Sequence, residues 1–372
     1  MKATLTRQEF QDALTAINTL TGARTTKPIL ACVKLTAEGQ TLELCGTDGE
    51  AALRMIINNL NIETTGTVVV AAGRLLDIIR ELPDTEIALE ADARHCVVRG
   101  QGSEFKLYVQ GTSDFPPLPE FDGGPDFVID GLELHRMIAL TVYAAARETS
   151  RYAINGVLWD KRAKRLYLVA TDGRRLARTG GTLSASHSAD FELIVPTKAL
   201  TVFERVFLTP RGEEAMPIDV KVTPNQLLLR TPERTLSTTL VEGRFPKYDD
   251  VIPKESSKRA RLPRAEFYTA VRQAALLTTE DSRAVRLSFS RDTLVISSRS
   301  PEQGEARLEV PIQYEGEPLD IGFNPTFLGD VLRAVPYSEV QIELHESFRP
   351  GVICGEDKSE FLYVLMPVSL AP

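Results

Sequence analysis

The feature that most limits the fold of this chain is an internal repeat. Val169 to Arg178 reads VATDGRRLAR, an apolar strand that enters Thr171-Asp172-Gly173 and leaves as a charged second strand. Leu42 to Leu53 reads LELCGTDGEAAL, with the same Asp-Gly pair 124 positions earlier, at 48 instead of 172. Asp-Gly between two strand-like runs predicts a tight hairpin, because glycine accepts the positive φ that such turns demand. A chain that repeats such a unit is built from similar domains side by side.

The 372 residues hold two or three domains of ordinary size, and the repeat favours three. Each third replays strand, amphipathic helix, strands, second helix and further strands, which predicts an α+β fold. The first unit, residues 1–120, opens on a strand, and a capping box at Thr6 and Glu9 is expected to start a helix with Phe10, Leu14 and Ile17 on one face. TVVVAAGRLLDIIREL, Thr67 to Leu82, predicts a strand feeding a second helix, and Asp114 to Pro119 reads as a proline-rich linker. The second unit, 126–246, carries Leu134, Ile138, Val142 and Ala145 at helical spacing, then a strand-to-helix step from Glu192 to Phe207. The third, 253–372, carries Phe267, Val271, Ala274 and Leu277, then Asp320 to Leu332, where Asn324 and Pro325 suit the N-cap and first helical position.

Hydrophobic residues at 43% and charged residues at 25% describe an ordinary folded chain with no membrane span. MKATLTRQEF lacks the apolar core of a signal peptide, so a cytoplasmic location is expected. Cys32, Cys45, Cys96 and Cys354 have no C-x-x-C spacing and read as buried free thiols; His95, His135, His187 and His345 form no ligand cluster, so neither metal nor cofactor is expected. A net charge of −8 argues against coating nucleic acid by bulk attraction. Asp48 and Asp172 could serve as a carboxylate pair in an enzyme, but Asp-Gly turns account for both, and no phosphate loop, G-x-S-x-G or H-E-x-x-H occurs. The predicted helices, with Arg7, Arg74, Arg80, Arg136, Arg147, Lys198, Arg205, Arg264, Arg272 and Arg333, are near neutral within an acidic protein.

ATDGRRLA at Ala170 to Ala177, RYAINGVLW at Arg151 to Trp159, VEGRFPKYDDVIP at Val241 to Pro253 and the terminal YVLMP together resemble the bacterial DNA polymerase sliding clamp, the beta subunit of polymerase III. The resemblance runs the length of the chain. It implies a head-to-tail homodimeric ring of six similar domains, sheets outside and helices lining a hole, that encircles double-stranded DNA without reading its sequence. Such a ring is non-catalytic and tethers the replicative polymerase. The clamp loader, other polymerases and repair proteins are further expected partners. By resemblance, a pocket for partner peptides between the second and third domains comprises Arg151, Ile154, Thr171, Gly173, Arg174, Arg175, Leu176, Pro246, Asn324, Phe327, Val364, Leu365, Met366, Pro367, Val368, Ser369 and Leu370. Leu176, Pro246, Val364 and Met366 lie at turns and a chain end, where core packing is least able to explain them all. The resemblance also implies DNA contacts from Arg24, Arg74, Arg80, Tyr152 and Lys198, and a dimer interface joining Phe105 and Leu107 to Leu276 and Leu277, with Arg94 and Arg99 facing Glu302 and Glu305.

The chain departs from the family pattern in places. Arg174 stands where His is common, Asp250 where a basic residue is usual, Ser282 for an apolar residue and Ser369 for Arg, with Ala371-Pro372 extending the end. Gly73, Glu148 and Ala153 lack side chains often found on the DNA side. These changes predict weaker partner binding, or an extra clamp that serves a different polymerase or escapes an inhibitor of the pocket.

Overall fold

The computed structural model describes residues 1–22, 25–148, 153–207, 216–278 and 284–370. Arg24, Arg151, Tyr152, Ser282 and the Ala371-Pro372 extension lie outside the described residues. The chain forms two compact units, and these do not coincide with the sequence thirds. One unit holds Met1–Leu132, Leu183–Ser188 and Lys198–Leu240; the other holds Glu133–Thr182, Ala189–Thr197 and Val241–Pro372.

Six α-helices are described: α1 Arg7–Thr21, α2 Ala72–Glu81, α3 Gly131–Ala139, α4 Thr197–Phe207, α5 Arg264–Ala275 and α6 Pro325–Ala334. α1 turns Phe10, Leu14 and Ile17, all fully buried, onto the strands Thr41–Thr47 and Ala51–Ile57. The predicted capping box does not form. Thr6 ends the strand Lys2–Thr6 and its side chain makes no capping bond, while Arg7 N donates to Thr85 O at 2.9 Å. α3 also stops before Val142 and Ala145. Thr141 Oγ1 donates back to Met137 O at 2.8 Å, and the chain continues as a 3-10 turn over Val142–Ala144, a competition between side chain and backbone that closes helices. α6 begins as expected: Asn324 Oδ1 accepts from Thr326 N at 2.8 Å, with Pro325 in the first turn.

Among the described residues all strand pairs are antiparallel, and the four sheets follow one scheme. In the first unit a nine-stranded sheet runs Ala185–Ser186, Phe127–Asp130, Pro217–Val222, Gln226–Thr231, Arg234–Thr239, then Ala51–Ile57, Thr41–Thr47, Cys32–Glu38 and Gly66–Ala71. Five strands from the second sequence third thus join four from the first, at a seam where Leu236 faces Leu53. In the second unit a nine-stranded sheet joins Gln313–Glu315, Lys258–Pro263, Glu339–Leu344, Gly351–Cys354 and Phe361–Leu365 to Arg175–Thr182, Arg165–Thr171, Gly156–Arg162 and Phe191–Pro196, at a seam where Leu176 faces Val364. The remaining strands make two smaller sheets. Asn61–Thr64, Lys2–Thr6, Glu86–Ala91, His95–Gly100 and Ser103–Tyr108 form a five-stranded sheet in the first unit. Gly304–Pro311, Thr293–Ser300, Val285–Phe289 and Leu319–Phe323 form a four-stranded sheet in the second.

The predicted linkers are pinned to the sheets. Phe115 is buried against Cys32, Cys45 and Val69. Phe245, with Val241 and Ile252, covers a cluster of Leu158, Val169, Leu176, Ile194, Leu362 and Val364.

Candidate functional site

The two Asp-Gly turns have the same construction. Thr171 Oγ1 donates to Arg175 O (2.6 Å) and accepts from Gly173 N (3.1 Å), while Asp172 Oδ1 accepts from the amides of Arg174 and Arg175. Thr47, Asp48, Gly49, Glu50 and Ala51 repeat those bonds, and Gly49 and Gly173 take φ of +97° and +85°. Each aspartate is therefore a turn residue with one oxygen committed to backbone. Among the described residues no three His, Cys, Asp or Glu side chains group as metal ligands.

The turns differ at the next position. Ala51 in the first corresponds to Arg175 in the second, and Arg175 organises its surroundings. Its Nε donates to Asp172 Oδ2 (2.9 Å), Nη1 to Asp330 Oδ2 (2.7 Å) and Nη2 to Tyr143 O (2.6 Å). The guanidinium lies 4.3 Å from the centre of the Phe327 ring, and Tyr363 Oη donates to Phe327 O at 3.1 Å. Burial opposes the Arg175 charge, but Tyr363, Asp330 and Asp172 outweigh it, and its pKa rises. Burial also raises the Tyr363 and Tyr143 phenols. A charge held this way is costly to remove, since its carboxylates would lose their partner.

The sequence-predicted pocket residues separate into buried and exposed members. Leu176 and Val364 are 3% and 2% exposed, and Ile154 and Leu365 are also buried. Core packing explains Leu176 and Val364 fully, contrary to expectation, because the segment around Phe245 covers their sheet face. Pro246 is half-buried on that segment, and Thr171 is buried in the turn. The exposed members are Gly173, Arg174, Met366, Val368 and Ser369, with Asn324, Phe327, Pro367 and Leu370 half-buried. The tail is held by its backbone: Met366 N donates to Arg174 O at 3.0 Å and Val368 N to Gly322 O at 2.8 Å. A Cβ on Gly322 would come within 2.6 Å of Val368 O and 2.7 Å of Leu370 Cδ2, so only glycine lets the tail lie there. Of these apolar residues, Phe327 is the one that lies against the fixed Arg175 cation.

On the predicted DNA side, Arg74 and Arg80 are exposed on α2 with Asp77 between them. Lys198, at the start of α4, is ion-paired to Asp48, so its charge is already engaged. Burial alone would raise the Asp48 pKa; the amides of Ala51 and Glu50 and the Lys198 ammonium outweigh burial and hold it below the usual carboxylate range. Arg147 is not on a helix. Of the predicted interface residues, Phe105 is 37% exposed on the edge strand Ser103–Tyr108, with Leu107 half-buried beside it. Leu276 caps the C-terminus of α5 at 76% exposure, and Leu277 follows it.

Three family models match in chain order: the DNA polymerase III beta subunit N-terminal domain over residues 1–119, its central domain over 128–247 and its C-terminal domain over 249–369. The chain belongs to the DNA polymerase III beta subunit family. It is 32% identical to the beta sliding clamp of Pseudomonas aeruginosa over 373 residues, covering all of both chains, and 32% identical to that of Escherichia coli over 374 residues, again covering both. Among solved structures it superposes on the sliding clamp of Bacillus subtilis with a TM-score of 0.93 at 25% identity. It superposes on that of Pseudomonas aeruginosa bound to griselimycin with a TM-score of 0.93 at 31% identity; both matches cover the full chains. The chain is thus a DNA sliding clamp of three repeated domains, a non-catalytic processivity factor. Among the described residues no helix is long and apolar enough to cross a membrane.

Three residues that hold Arg175 are not among those the sequence singles out: Tyr143, Asp330 and Tyr363. Asp330 could have been found, since it follows Phe327 by three positions and shares its helix face. Tyr143 lies in the 3-10 turn that sequence periodicity had read as helix.

Proposed function

We propose that two copies close head to tail into a ring that encircles duplex DNA and holds a polymerase at the primer end through the site around Arg175. The observation that carries this reading is the division of the sheets. Two seams within the chain join five strands of one repeat to four of another, giving nine each time. The leftover sheets have five and four strands, and their edges, Ser103–Tyr108 and Gly304–Pro311, occupy the positions that form seams elsewhere. A second copy supplies what each edge lacks, and two such contacts close the assembly. The reading takes the domain bounds as 1–120, 126–246 and 253–372, drawn from the sequence repeat.

The internal seams also supply the register. Arg234 in one hairpin corresponds to Ser103 in the other, because both follow the same two-residue turn from Thr231 and Gly100. Glu305 corresponds to Ala52, because Arg299 faces Glu305 as Thr47 faces Ala52. Copying the Ala52–Ser237 and Arg54–Thr235 pairs then sets Lys106 against the partner subunit's Glu305, and Glu104 against the partner subunit's Arg307. Phe105 and Leu107 fall on the opposite face, which α5 covers in its own sheet. The pairing differs from the expected Arg94 and Arg99, which both lie off the edge strand Ser103–Tyr108.

Retention on DNA would be topological. With Lys198 engaged and the chain acidic overall, direct phosphate contacts from Arg24, Arg74, Arg80 and Tyr152 position the duplex without gripping it. The test loads the ring on nicked circular DNA with a clamp loader, then cuts the circle once. Rapid loss after cutting and persistence on the intact circle are expected; equal retention on both would refute encirclement. For the pocket we propose a partner peptide with a Gln followed by spaced Leu and Phe anchors, each anchor contributing about 1.5 to 3 kcal/mol of burial.

A further inference from the structure

On the sheet face that carries Leu176, three arginines gather around Tyr167. The guanidinium carbons of Arg162, Arg165 and Arg178 lie 5.7, 5.6 and 5.9 Å from its ring centre. Arg162 is accounted for: it donates twice to the buried Asp160, bonds Tyr248 Oη and lies 3.7 Å from Asp249. The other two are not. Among the described residues Arg165 makes neither hydrogen bond nor ion pair, and its Nε is buried without an acceptor. Among the described residues Arg178 donates one hydrogen bond, to Lys358 O at 3.3 Å, and its Nε is buried without an acceptor as well. Asp357 feels the Arg165 charge, but among the described residues neither arginine comes within ion-pair distance of a carboxylate. Asp357 is occupied by the amide and hydroxyl of Ser359, and Lys358 is paired with Glu343.

Two guanidinium groups against one ring repel each other, and the π face offsets only part of that. Their planar forks suit a carboxylate. Position supplies the second half of the reasoning. Val169 faces Arg178 across the strand pair, and Thr171 faces Leu176, so Arg178 is two residues along from Leu176 on one face. Two strand residues span about 7 Å, the length of two residues of an extended peptide.

We propose that Arg165 and Arg178 form an anion-binding extension of the peptide site and take the side-chain carboxylate of an acidic residue that flanks a partner's apolar anchors. This rests on the pocket reading above. It also runs against the weaker partner binding expected from Asp250 and Ser369.

The test uses the full-length dimer and rhodamine-labelled peptides with Gln, Leu and Phe anchors, read by fluorescence anisotropy at low salt. One peptide has Glu-Glu two to three residues before the anchors, one has it after them, and the controls have Gln-Gln instead. One acidic peptide should bind about tenfold tighter than its control, as expected of two charge-assisted contacts. In Arg165→Gln/Arg178→Gln that preference should vanish while the control peptide binds as before. The inference is overturned if neither acidic peptide gains more than twofold, or if the gain survives in the double variant. Competition by a thymidine oligonucleotide, itself lost in the double variant, would assign the arginines to nucleic-acid phosphate and overturn it too. Failure of the control peptides to bind the parent protein would refute the pocket itself, and this extension with it.

Discussion

Leu276→Lys tests the split-sheet dimer most directly. Leu276 is 76% exposed at the end of α5, beside the edge strand that lacks a neighbour. Burying a whole leucine side chain is worth about 1.5 to 3 kcal/mol, so the exposed three quarters represent roughly 1 to 2 kcal/mol at one contact. Head-to-tail closure makes each contact twice, so the dimer loses about 2 to 4 kcal/mol, or ~30-fold to 1,000-fold in its dissociation constant. Seating an ammonium against Phe105 and Leu107 adds to the loss. Leu276→Ala, which adds no charge, should lose less. Sedimentation velocity from nanomolar to micromolar protein measures both, with circular dichroism to show that the monomer stays folded. If Leu276→Lys dimerises within threefold of the parent, the interface lies elsewhere.

The proposed register is checked by charge reversal: Glu104→Arg or Arg307→Glu alone should weaken the dimer, by about 1 to 2 kcal/mol over two contacts in low salt, and the two together should restore it; equal weakening in single and double variants would mean that the two residues are not opposed. Gly322→Ala should displace the Met366–Leu370 tail and reduce binding of the Gln, Leu and Phe peptide at least tenfold while the dimer persists, measured by anisotropy beside sedimentation; unchanged affinity would show that the tail is not part of the site. Any truncation should begin at Met366, since Val364 and Leu365 are paired strand residues. Burial raises the thiols of Cys45 and Cys96 to about 12 and that of Cys354 to about 11, so a disulfide reagent at pH 8 should leave all three unreacted until denaturant is added. Stoichiometric labelling of the native protein would contradict this.

Local chemistry made much of the fold legible. Both Asp-Gly turns, the Asn324-Pro325 helix start and the strand-to-helix steps into α4 and α6 are contained in a few adjacent residues. The failures had distant causes. Thr6 and Glu9 match a capping box, yet Thr6 is claimed by the strand pair with Glu86. Val142 and Ala145 keep helical spacing, yet Thr141 closes the helix before them. Asn61–Thr64 is a short, largely polar edge strand with no alternation to betray it. In the site, Arg175 was visible from its place in the motif, but the burial of Leu176 depends on Phe245, 69 positions later in the chain (176 to 245). The seams were invisible for the same reason, because each pairs strands from different repeats.

Those seams impose an order on synthesis. Ala51–Ile57 cannot find Arg234–Thr239 until 177 further residues, from 57 to 234, have been translated. At the usual ~5 to 20 residues per second, the first repeat waits roughly 10 to 35 s with a bare edge of β-structure exposed to its neighbours on the same message. The later seam waits longer still per strand, with 179 residues between Thr182 and Phe361. In the proposed dimer the two outer edges stay bare until assembly, and they carry alternating charge, Glu104 and Lys106 on one and Glu305, Arg307 and Glu309 on the other. Charges on an unpaired edge oppose indiscriminate strand addition. The pattern that selects the correct partner would therefore also keep newly made chains from sticking to one another before it arrives.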